Sequence, residues 1–253
     1  MEKLTSRRSP VAVHVKRLGA DKSYREQNRE YLCDGVKLLE EAVKSDTEII
    51  DVLTASHIDF PLPLQTRVYH TSQDLINSLS PLKSAQDTLF TCKMPPTGGF
   101  MHSEGLYILL DGIQDPGNLG TILRTAEAFR AGSVLLTGNC ADLYNPKTVR
   151  ATMGAIFRCR AFIVDFPELE QLRNEGAAFA GAAPGPGHAG ICDISLKNKI
   201  VAIGSEGNGL SSGVMSLCSE LFTIPTAPEC ESLNAAIAAA IVMWEGAGAG
   251  SQQ

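Results

Sequence analysis

The sequence predicts an α/β protein in which a small N-terminal α/β domain precedes a C-terminal, mostly parallel sheet with helices on both faces. From residue 106 to residue 245, strand-length apolar runs alternate with helix-length segments, as in a sheet built from βαβ units. Residues 93–99 (KMPPTGG) are rich in Pro and Gly and show no periodicity. A domain boundary is therefore expected near residues 93–104.

The individual elements follow from apolar patterning. In the C-terminal part, apolar runs predict strands at residues 106–110, 133–137, 161–165, 199–204 and 221–224, with a weaker strand at 178–182. Helical spacing predicts helices at residues 119–131, 146–156, 167–175 and 232–245. Nearer the N-terminus we expect helices at 36–43 and 72–79 and strands at 48–54 and 88–92. The predicted domains are residues 1–98 and 99–248, followed by a disordered tail at 249–253.

The composition is that of an ordinary globular protein, with 44% hydrophobic and 20% charged residues. No apolar run approaches the roughly 20 residues that span a bilayer, and the N-terminus lacks the apolar segment of a signal peptide. The seven cysteines are scattered, which disfavours a disulfide framework or a zinc site. We expect a cytoplasmic protein with free thiols, no metal and no membrane partner.

Charge is unevenly distributed along the chain. Residues 1–30 contain eight Lys and Arg against four Asp and Glu, a net charge of +4, so the remaining residues carry −10 of the formal total of −6. A basic segment on an acidic body is typical of an RNA contact, but a solvated, frayed terminus would show the same composition. Charge alone leaves both interpretations open.

Three loops that follow predicted strands carry the unusual residues, and ligands in open α/β sheets bind beyond the carboxyl ends of strands. In the first loop, residues 111–118 (DGIQDPGN), Asn118 is placed where a helix N-cap would fall. On the following helix, Arg124 lies well away from the apolar stripe that begins at Leu119. Its guanidinium can reach a ligand near the loop, although a solvated surface arginine is the ordinary role of such a residue.

The second loop, residues 204–209 (GSEGNG), contains three glycines, which allow positive φ and close backbone approach. It matches neither a P-loop nor a Gly-x-Ser-x-Gly nucleophile turn. Glu206 would repel a phosphate but suits a cationic ligand such as a sulfonium.

The third loop, residues 224–234, ends in Ser232, Leu233 and Asn234 before an Ala-rich helix. Ser232 is expected to cap that helix. Asn234 has no comparable structural role in this interpretation, since asparagine is mediocre in a first helical turn.

Residues 185–190 (GPGHAG) match the dinucleotide-binding pattern Gly-x-Gly-x-x-Gly. However, Pro186 lies within the match, and the residues that follow do not form the amphipathic helix that this pattern requires. A nucleotide-dependent oxidoreductase is therefore disfavoured.

Together the three loops resemble, in order, the three motifs of the SpoU/TrmH family of RNA methyltransferases, within the SPOUT superfamily. The resemblance covers residues 106–245, and residues 150–157 resemble the family segment between the first two motifs. Residues 31–42 (YLCDGVKLLEEA) are similar to a small substrate-binding domain found in many members, related to RNA-binding ribosomal proteins.

The resemblance implies S-adenosylmethionine-dependent methylation of a ribose 2′-hydroxyl, most simply in ribosomal RNA, with transfer RNA as the alternative. It also implies a C-terminal trefoil knot and a homodimer. It assigns cofactor binding to seven residues: Gly204, Glu206, Gly207, Ile224, Ser232, Leu233 and Asn234. It assigns catalysis to Arg124, with Asn118, Glu206 and Asn234 positioning the ribose and Arg124.

Arginine stays protonated to about pH 12, so Arg124 is a poor base. Orienting a substrate phosphate and stabilising the developing alkoxide is the better-motivated role.

Four positions depart from the family pattern. Thr226 and Pro228 stand where Met and Gly are common, Ala235 replaces a frequent Val, and Asp34 stands where Glu is usual. The first two changes bear on the shape of the cofactor loop, whereas the catalytic residue types are intact. A non-catalytic RNA-binding relative is the remaining alternative, and it would not need all of these catalytic types.

Overall fold

The computed structural model describes residues 2–96, 100, 105–185, 187–227, 229 and 232–248. The chain divides into two compact units. The N-terminal unit comprises Met1–Thr97 together with Asp142–Arg158, and the C-terminal unit comprises Gly98–Ala141 and Cys159–Gln253. Pro228 and the predicted tail at 249–253 lie outside the described residues.

The described elements alternate between strands and helices. The strands are β1 (Glu2–Lys3), β2 (Glu30–Asp34), β3 (Ile49–Thr54), β4 (Arg67–His70), β5 (Thr88–Lys93), β6 (Tyr107–Asp111), β7 (Val134–Thr137), β8 (Ala161–Ile163), β9 (Ala178–Ala182), β10 (Ala189–Gly190), β11 (Lys199–Gly204) and β12 (Glu220–Thr223). The α-helices are α1 (Pro10–Ala20), α2 (Lys22–Asn28), α3 (Val36–Lys44), α4 (Gln73–Leu79), α5 (Pro116–Ala128), α6 (Pro146–Ala151), α7 (Phe166–Asn174), α8 (Ser212–Leu217) and α9 (Ala235–Gly246). None of them is long and apolar enough to cross a membrane.

The sheet of the C-terminal unit has the strand order β10-β12-β9-β11-β6-β7-β8, and every pairing among the described residues is parallel. This confirms the predicted parallel sheet. In the register, Asp111 pairs with Gly204 on one side and with Thr137 on the other. The loops that follow β6, β7 and β11 therefore begin at the same edge of the sheet, because parallel strands all end there.

The core of this unit explains why its strands are continuous apolar runs. Fully buried side chains from several strands, among them Leu109, Leu135 and Ile200, pack with Leu169 of α7 and Val214 of α8. Strands covered by helices on both faces have no solvent side, so polar alternation is absent.

The sheet of the N-terminal unit has the order β1-β4-β3-β5-β2. Strands β1, β4 and β3 are parallel, whereas β5 runs antiparallel to both β3 and β2. Asp34, which departs from the family pattern, is buried at the end of β2. Its carboxylate accepts hydrogen bonds from Ser80 Oγ at 2.8 Å and the Gln86 backbone N–H at 3.0 Å, and it therefore fastens the chain between α4 and β5.

Most of the basic N-terminal segment is folded into the helices α1 and α2, so the interpretation as a frayed terminus is wrong. Ser9 caps α1 by accepting from the Ala12 N–H at 3.2 Å, and Pro10 occupies the first helical turn. Ala12, Val15 and Leu18 are buried in the core. Their three-residue spacing is a helical signal that the intervening basic residues obscured.

The segment Asp142–Arg158 belongs to the N-terminal unit, although the predicted domain 99–248 contained it. The rings of Tyr144 and Tyr31 lie 4.8 Å apart, and Val149 packs in the same core cluster. Arg25, which is 3% exposed, donates to the carboxylate of Asp142. Sequence patterning records which residues are apolar but not which core they enter.

The same segment contains a shorter helix than predicted. Helix α6 ends at Ala151, because Met153 and Gly154 adopt positive φ values of 51° and 103°. A separate 3₁₀ turn, Ala155–Phe157, follows them.

Candidate active site

The carboxylate of Glu206 joins the three loops. Its Oε1 accepts hydrogen bonds from Asn118 Nδ2, from Asn234 Nδ2 at 3.3 Å and from the backbone N–H of Ala235 at 3.4 Å. Asn234 Nδ2 also donates to Asn118 Oδ1 at 3.1 Å. The structure thus brings together three of the four predicted catalytic side chains. We call Asn118, Glu206 and Asn234 the polar triad.

The side chain of Asn118 is available for this contact because another residue caps its helix. The N-cap of α5 is Asp115, whose Oδ1 accepts the Asn118 backbone N–H at 2.8 Å, with Pro116 in the first turn. The prediction that Asn118 lies at the N-cap was therefore wrong. Asn118 lies one turn further on, with its side-chain amide directed to Glu206.

Asn234, and not Ser232, is the N-cap of α9. Its Oδ1 accepts from the N–H groups of Ala236 at 2.9 Å and Ile237 at 3.3 Å. The prediction that Ser232 caps this helix was therefore wrong. The expectation that Asn234 has no structural role was also wrong. Capping also orients the amide: because the oxygen faces the helix, the NH₂ group faces Glu206 and Asn118.

The loop that carries Glu206 is a closed turn. The Gly209 N–H donates to the Ser205 carbonyl at 2.9 Å, and Gly209 has a φ of +65°. A Cβ on Gly204 would lie 2.0 Å from the backbone carbon of Gly209, so only glycine fits there. The loop returns to the strand end at which it began, and Glu206 projects from it.

Asp111 anchors the far end of this loop. It lies at the carboxyl end of β6 and is 7% exposed, and its Oδ2 accepts the Ser211 N–H at 2.6 Å. Sequence analysis placed Asp111 at the start of the first loop but gave it no function. It is a positioning residue, because it connects the base of the first loop to the end of the second.

A cleft of about 580 Å³ opens beside the polar triad. Six of the seven predicted cofactor-binding residues line it: Gly204, Glu206, Gly207, Ile224, Ser232 and Leu233. Asn234 does not line the cleft but contacts Glu206, which does. Thr226, one of the departures from the family pattern, is also in the lining.

Sequence analysis missed part of the cleft wall. Residues 182–184, at the end of β9, and Met215 of α8 line it. The parallel arrangement contained the signal for the first of these, because β9 ends at the same sheet edge as β11. Its small residues gave only a weak strand pattern, and α8 was not predicted at all.

Arg124 lies on the exposed face of α5, as its position away from the apolar stripe predicted. It is six residues after Asn118, or about 9 Å further along the helix axis. Within the described part of the chain, its side chain makes no ion pair or hydrogen bond, and so none with the polar triad. Its guanidinium therefore keeps its donors available for a ligand.

A model of the SpoU rRNA Methylase family matches residues 105–244, more than half of the chain. The chain belongs to the SpoU rRNA Methylase family. The predicted family is thereby confirmed.

Relatives of this SpoU family member extend over nearly its whole length. The 23S rRNA (guanosine(2553)-2′-O)-methyltransferase RlmP of Bacillus subtilis is 29% identical over 96% of this chain and 98% of that protein. The SpoU methyltransferase AviRb from Streptomyces viridochromogenes, solved in complex with AdoMet, aligns with a TM-score of 0.84 and 25% identity, over 97% of this chain and 99% of that one. A putative RNA methyltransferase of the TrmH family from Porphyromonas gingivalis aligns with a TM-score of 0.84 and 28% identity, over 94% and 97%.

Substitutions of Asn234 separate its two roles. Asn234→Ser keeps a capping oxygen but removes the donor to Glu206, so the free energy of unfolding should change by less than about 0.5 kcal/mol. Asn234→Ala removes both and should cost about 1 kcal/mol. We expect both variants to lose roughly tenfold or more in methyl transfer, because each loses a hydrogen bond to a carboxylate. Denaturant unfolding and initial rates measure the two effects, and wild-type rates for Asn234→Ser would contradict the assignment.

The Asp111–Ser211 hydrogen bond can be removed from either end. Asp111→Ala deletes the acceptor, and Ser211→Pro deletes the N–H at a residue whose φ of −65° suits proline. We expect each to weaken S-adenosylmethionine binding roughly tenfold in calorimetry, and the double variant to be no worse than either alone.

Ser211→Ala is the control for the proline variant, since it loses only the hydroxyl that caps α8. Additive losses in the double variant, or unchanged cofactor affinity in both single variants, would show that Asp111 does not position the loop.

Proposed function

We propose that this protein transfers a methyl group from S-adenosylmethionine to a ribose 2′-hydroxyl of RNA, with ribosomal RNA as the substrate. The observation that carries the proposal is the polar triad at the edge of the cleft, with Arg124, which has no ion pair among the described residues, on the same helix as Asn118. Relatives named as 23S rRNA 2′-O-methyltransferases support ribosomal RNA as the substrate.

The residues of the cleft fit S-adenosylmethionine. Its volume of about 580 Å³ lies within the range of small-molecule sites. Backbone groups of Gly204, Gly207, Ile224 and Leu233 provide hydrogen-bonding positions close to a ligand, since two of these residues lack a side chain. The carboxylate of Glu206 complements a sulfonium cation. A pyrophosphate, by contrast, would be repelled by that carboxylate, and no lysine is among the described residues that line the cleft.

When bound, S-adenosylmethionine supplies an electrophilic methyl group, so the protein has to align the hydroxyl and manage its charge. Asn118 and Asn234 hold Glu206 in place through donors that are themselves fixed by two helix starts. Arg124 would bind the RNA phosphate next to the target ribose and stabilise the negative charge that develops on the 2′-oxygen. Because a guanidinium stays protonated, Arg124 is not the base, and the proton of the 2′-hydroxyl would pass to the substrate phosphate or to solvent.

The two units divide the charge of the chain. The N-terminal unit has sixteen Lys and Arg against fourteen Asp and Glu, a net of +2, and the C-terminal unit has six against fourteen, a net of −8. An anionic catalytic unit gives little attraction for a polyanion. We therefore assign RNA binding mainly to the N-terminal unit, as expected of a substrate-binding domain related to ribosomal proteins.

The predicted trefoil knot and cytoplasmic location are part of this proposal. Strand β12 pairs with β9, on the far side of β11 from β6, whereas α9, which follows β12, packs against α5 and β11. The chain thus returns across earlier elements near its end, as threading requires. The six described cysteines are free thiols, which is compatible with the cytoplasm.

A homodimer is proposed from the exposed face of α9. Ile237 and Trp244 are 54% and 49% exposed, and Ile241, which is half-buried, lies between them on the same helical face. Trp244 packs edge-on against Phe129, with ring centroids 5.8 Å apart. An apolar stripe of this kind on a surface helix is typical of a protein–protein interface.

The reaction is tested with methyl-labelled cofactor and purified ribosomal or transfer RNA, followed by mapping of ribose methylation. We expect label at a 2′-oxygen of ribosomal RNA. Label in transfer RNA alone would favour the alternative substrate. Absence of label in both, together with absence of cofactor binding, would overturn the enzyme assignment.

Arg124→Ala should reduce methyl transfer at least 100-fold and change the Kd for S-adenosylmethionine less than about twofold, because Arg124 acts on RNA and not on the cofactor. Arg124→Lys should recover only part of the rate, since lysine cannot bind a phosphate in the same bidentate way. Single-turnover rates and calorimetry measure these effects. A parallel loss of cofactor affinity would show that Arg124 has a structural role.

Ile237→Glu should convert the dimer into a monomer by placing a charge in the apolar stripe, as measured by light scattering after size exclusion. Leu64→Glu is the matched control, because Leu64 is fully exposed and lies in the N-terminal unit. The dimer proposal fails if the Ile237→Glu and Leu64→Glu proteins have the same mass as the wild type.

A further inference from the structure

The positive charge of the N-terminal unit is concentrated in its first 30 residues. These residues carry +4, whereas the rest of the unit has eight Lys and Arg against ten Asp and Glu, a net of −2. The first 30 residues are therefore the most basic part of the unit, and their charge favours the approach of a polyanion.

Among the described residues, five of these eight cations make no ion pair or hydrogen bond. Lys22 pairs with Glu26, Arg25 is buried against Asp142, and Arg29 donates to the Pro95 carbonyl. Among the described residues, the other five cationic side chains make no ion pair or hydrogen bond, and all are exposed: Lys3, Arg7, Arg8, Lys16 and Arg17. Their donors remain available to an external ligand.

Helix α1 carries two of these cations outside its buried face. The buried face includes Val15 and Leu18 and packs in the core, whereas Lys16 and Arg17 are exposed. Arg7 and Arg8 lie in the turn just before the helix, and both are exposed. We call Arg7, Arg8, Lys16 and Arg17, together with Tyr24, the α1 basic face.

Arg17 is the most ordered cation of this face. Its guanidinium lies 3.8 Å from the centroid of the Tyr24 ring, in a cation–π contact. Such a contact restrains the guanidinium but uses none of its N–H groups, so all five donors can still bind a phosphate. Ordering the side chain before binding lowers the entropy that a ligand must overcome.

Hydrogen bonds in turn position the Tyr24 side chain. His14 Nδ1 and the Tyr24 hydroxyl are 2.9 Å apart, and His14 Nε2 lies 2.8 Å from Glu30 Oε2. Glu30 Oε1 accepts from Lys93 at 2.8 Å. Burial opposes ionisation of Glu30, but the hydrogen bonds from Lys93 and His14 outweigh it and lower its pKa. The charge of Lys93 is thus paired with that of Glu30 within the unit. Lys16 and Arg17, by contrast, form no ion pair among the described residues.

We propose that the α1 basic face binds the phosphate backbone of the RNA substrate, with Arg17, stacked on Tyr24, as its ordered phosphate contact. This inference rests on the proposed function, because it names the surface that holds the substrate of that reaction. Contacts to phosphates position RNA without reading its sequence. The α1 basic face therefore contributes affinity, and the choice of nucleotide lies elsewhere.

The test uses the full-length protein and a fluorescently labelled transcript of 23S rRNA, with Kd measured by anisotropy between about 50 and 200 mM salt. Lys16→Gln/Arg17→Gln should weaken binding roughly tenfold and reduce the slope of log Kd against log salt concentration by about 1–2, as expected for two lost phosphate contacts. Cofactor affinity and the methylation rate at saturating RNA should stay at wild-type values.

The matched control is Lys22→Gln/Lys44→Gln, which removes the same charge from two exposed lysines already paired with glutamates. It should bind RNA like the wild type. Equal effects of both double variants on Kd and salt slope would show that only net charge matters and would overturn the proposal, as would no effect of either.

Tyr24 provides an independent test of the stacking. Tyr24→Phe keeps the ring beneath Arg17, whereas Tyr24→Leu removes it, so only the leucine variant should bind RNA about threefold more weakly. Equal Kd values for the two variants contradict the ordered role of Arg17. Direct binding also separates the proposals: a wild-type protein that binds RNA through this face but transfers no methyl group would contradict the proposed function alone.

Discussion

The candidate active site depends on one carboxylate that accepts hydrogen bonds from two other loops. Glu206 is held by Asn118, Asn234 and the N–H of Ala235, and these donors come from the starts of helices α5 and α9. Without this carboxylate, two asparagines would face each other with surplus donors, and the three loops would lose their common contact.

The parallel register explains why this contact can form. Asp111, Gly204 and Thr137 are aligned across adjacent strands, so residues nearly a hundred positions apart begin their loops side by side. Asp111 then fixes where the second loop ends by accepting the Ser211 N–H. The second loop is thus held at its tip by the polar triad and at its base by Asp111.

The sheet, the family, six of the residues that line the cleft and the exposed position of Arg124 could be predicted because their signals are local: apolar runs, glycine loops and helical spacing. The helix caps could not, since Asp115 and Asn118, or Ser232 and Asn234, differ only by where the first turn begins. The segment Asp142–Arg158 shows a second limit. Its apolar residues were visible, but their partners, such as Tyr31, lie more than a hundred residues away along the chain.

The two units differ in net charge, and this difference bears on which ligand each of them can attract. A carboxylate in the cleft complements a sulfonium and repels phosphate. Many basic residues around Glu206 would cancel this attraction for the sulfonium, so the C-terminal unit cannot be strongly basic there. In our proposal, Arg124 is the cation of this unit that binds one phosphate, although the unit as a whole carries a net charge of −8. Affinity for RNA then has to come from elsewhere in the chain. In our proposal, the cations before and along α1, which belong to the N-terminal unit, supply that affinity.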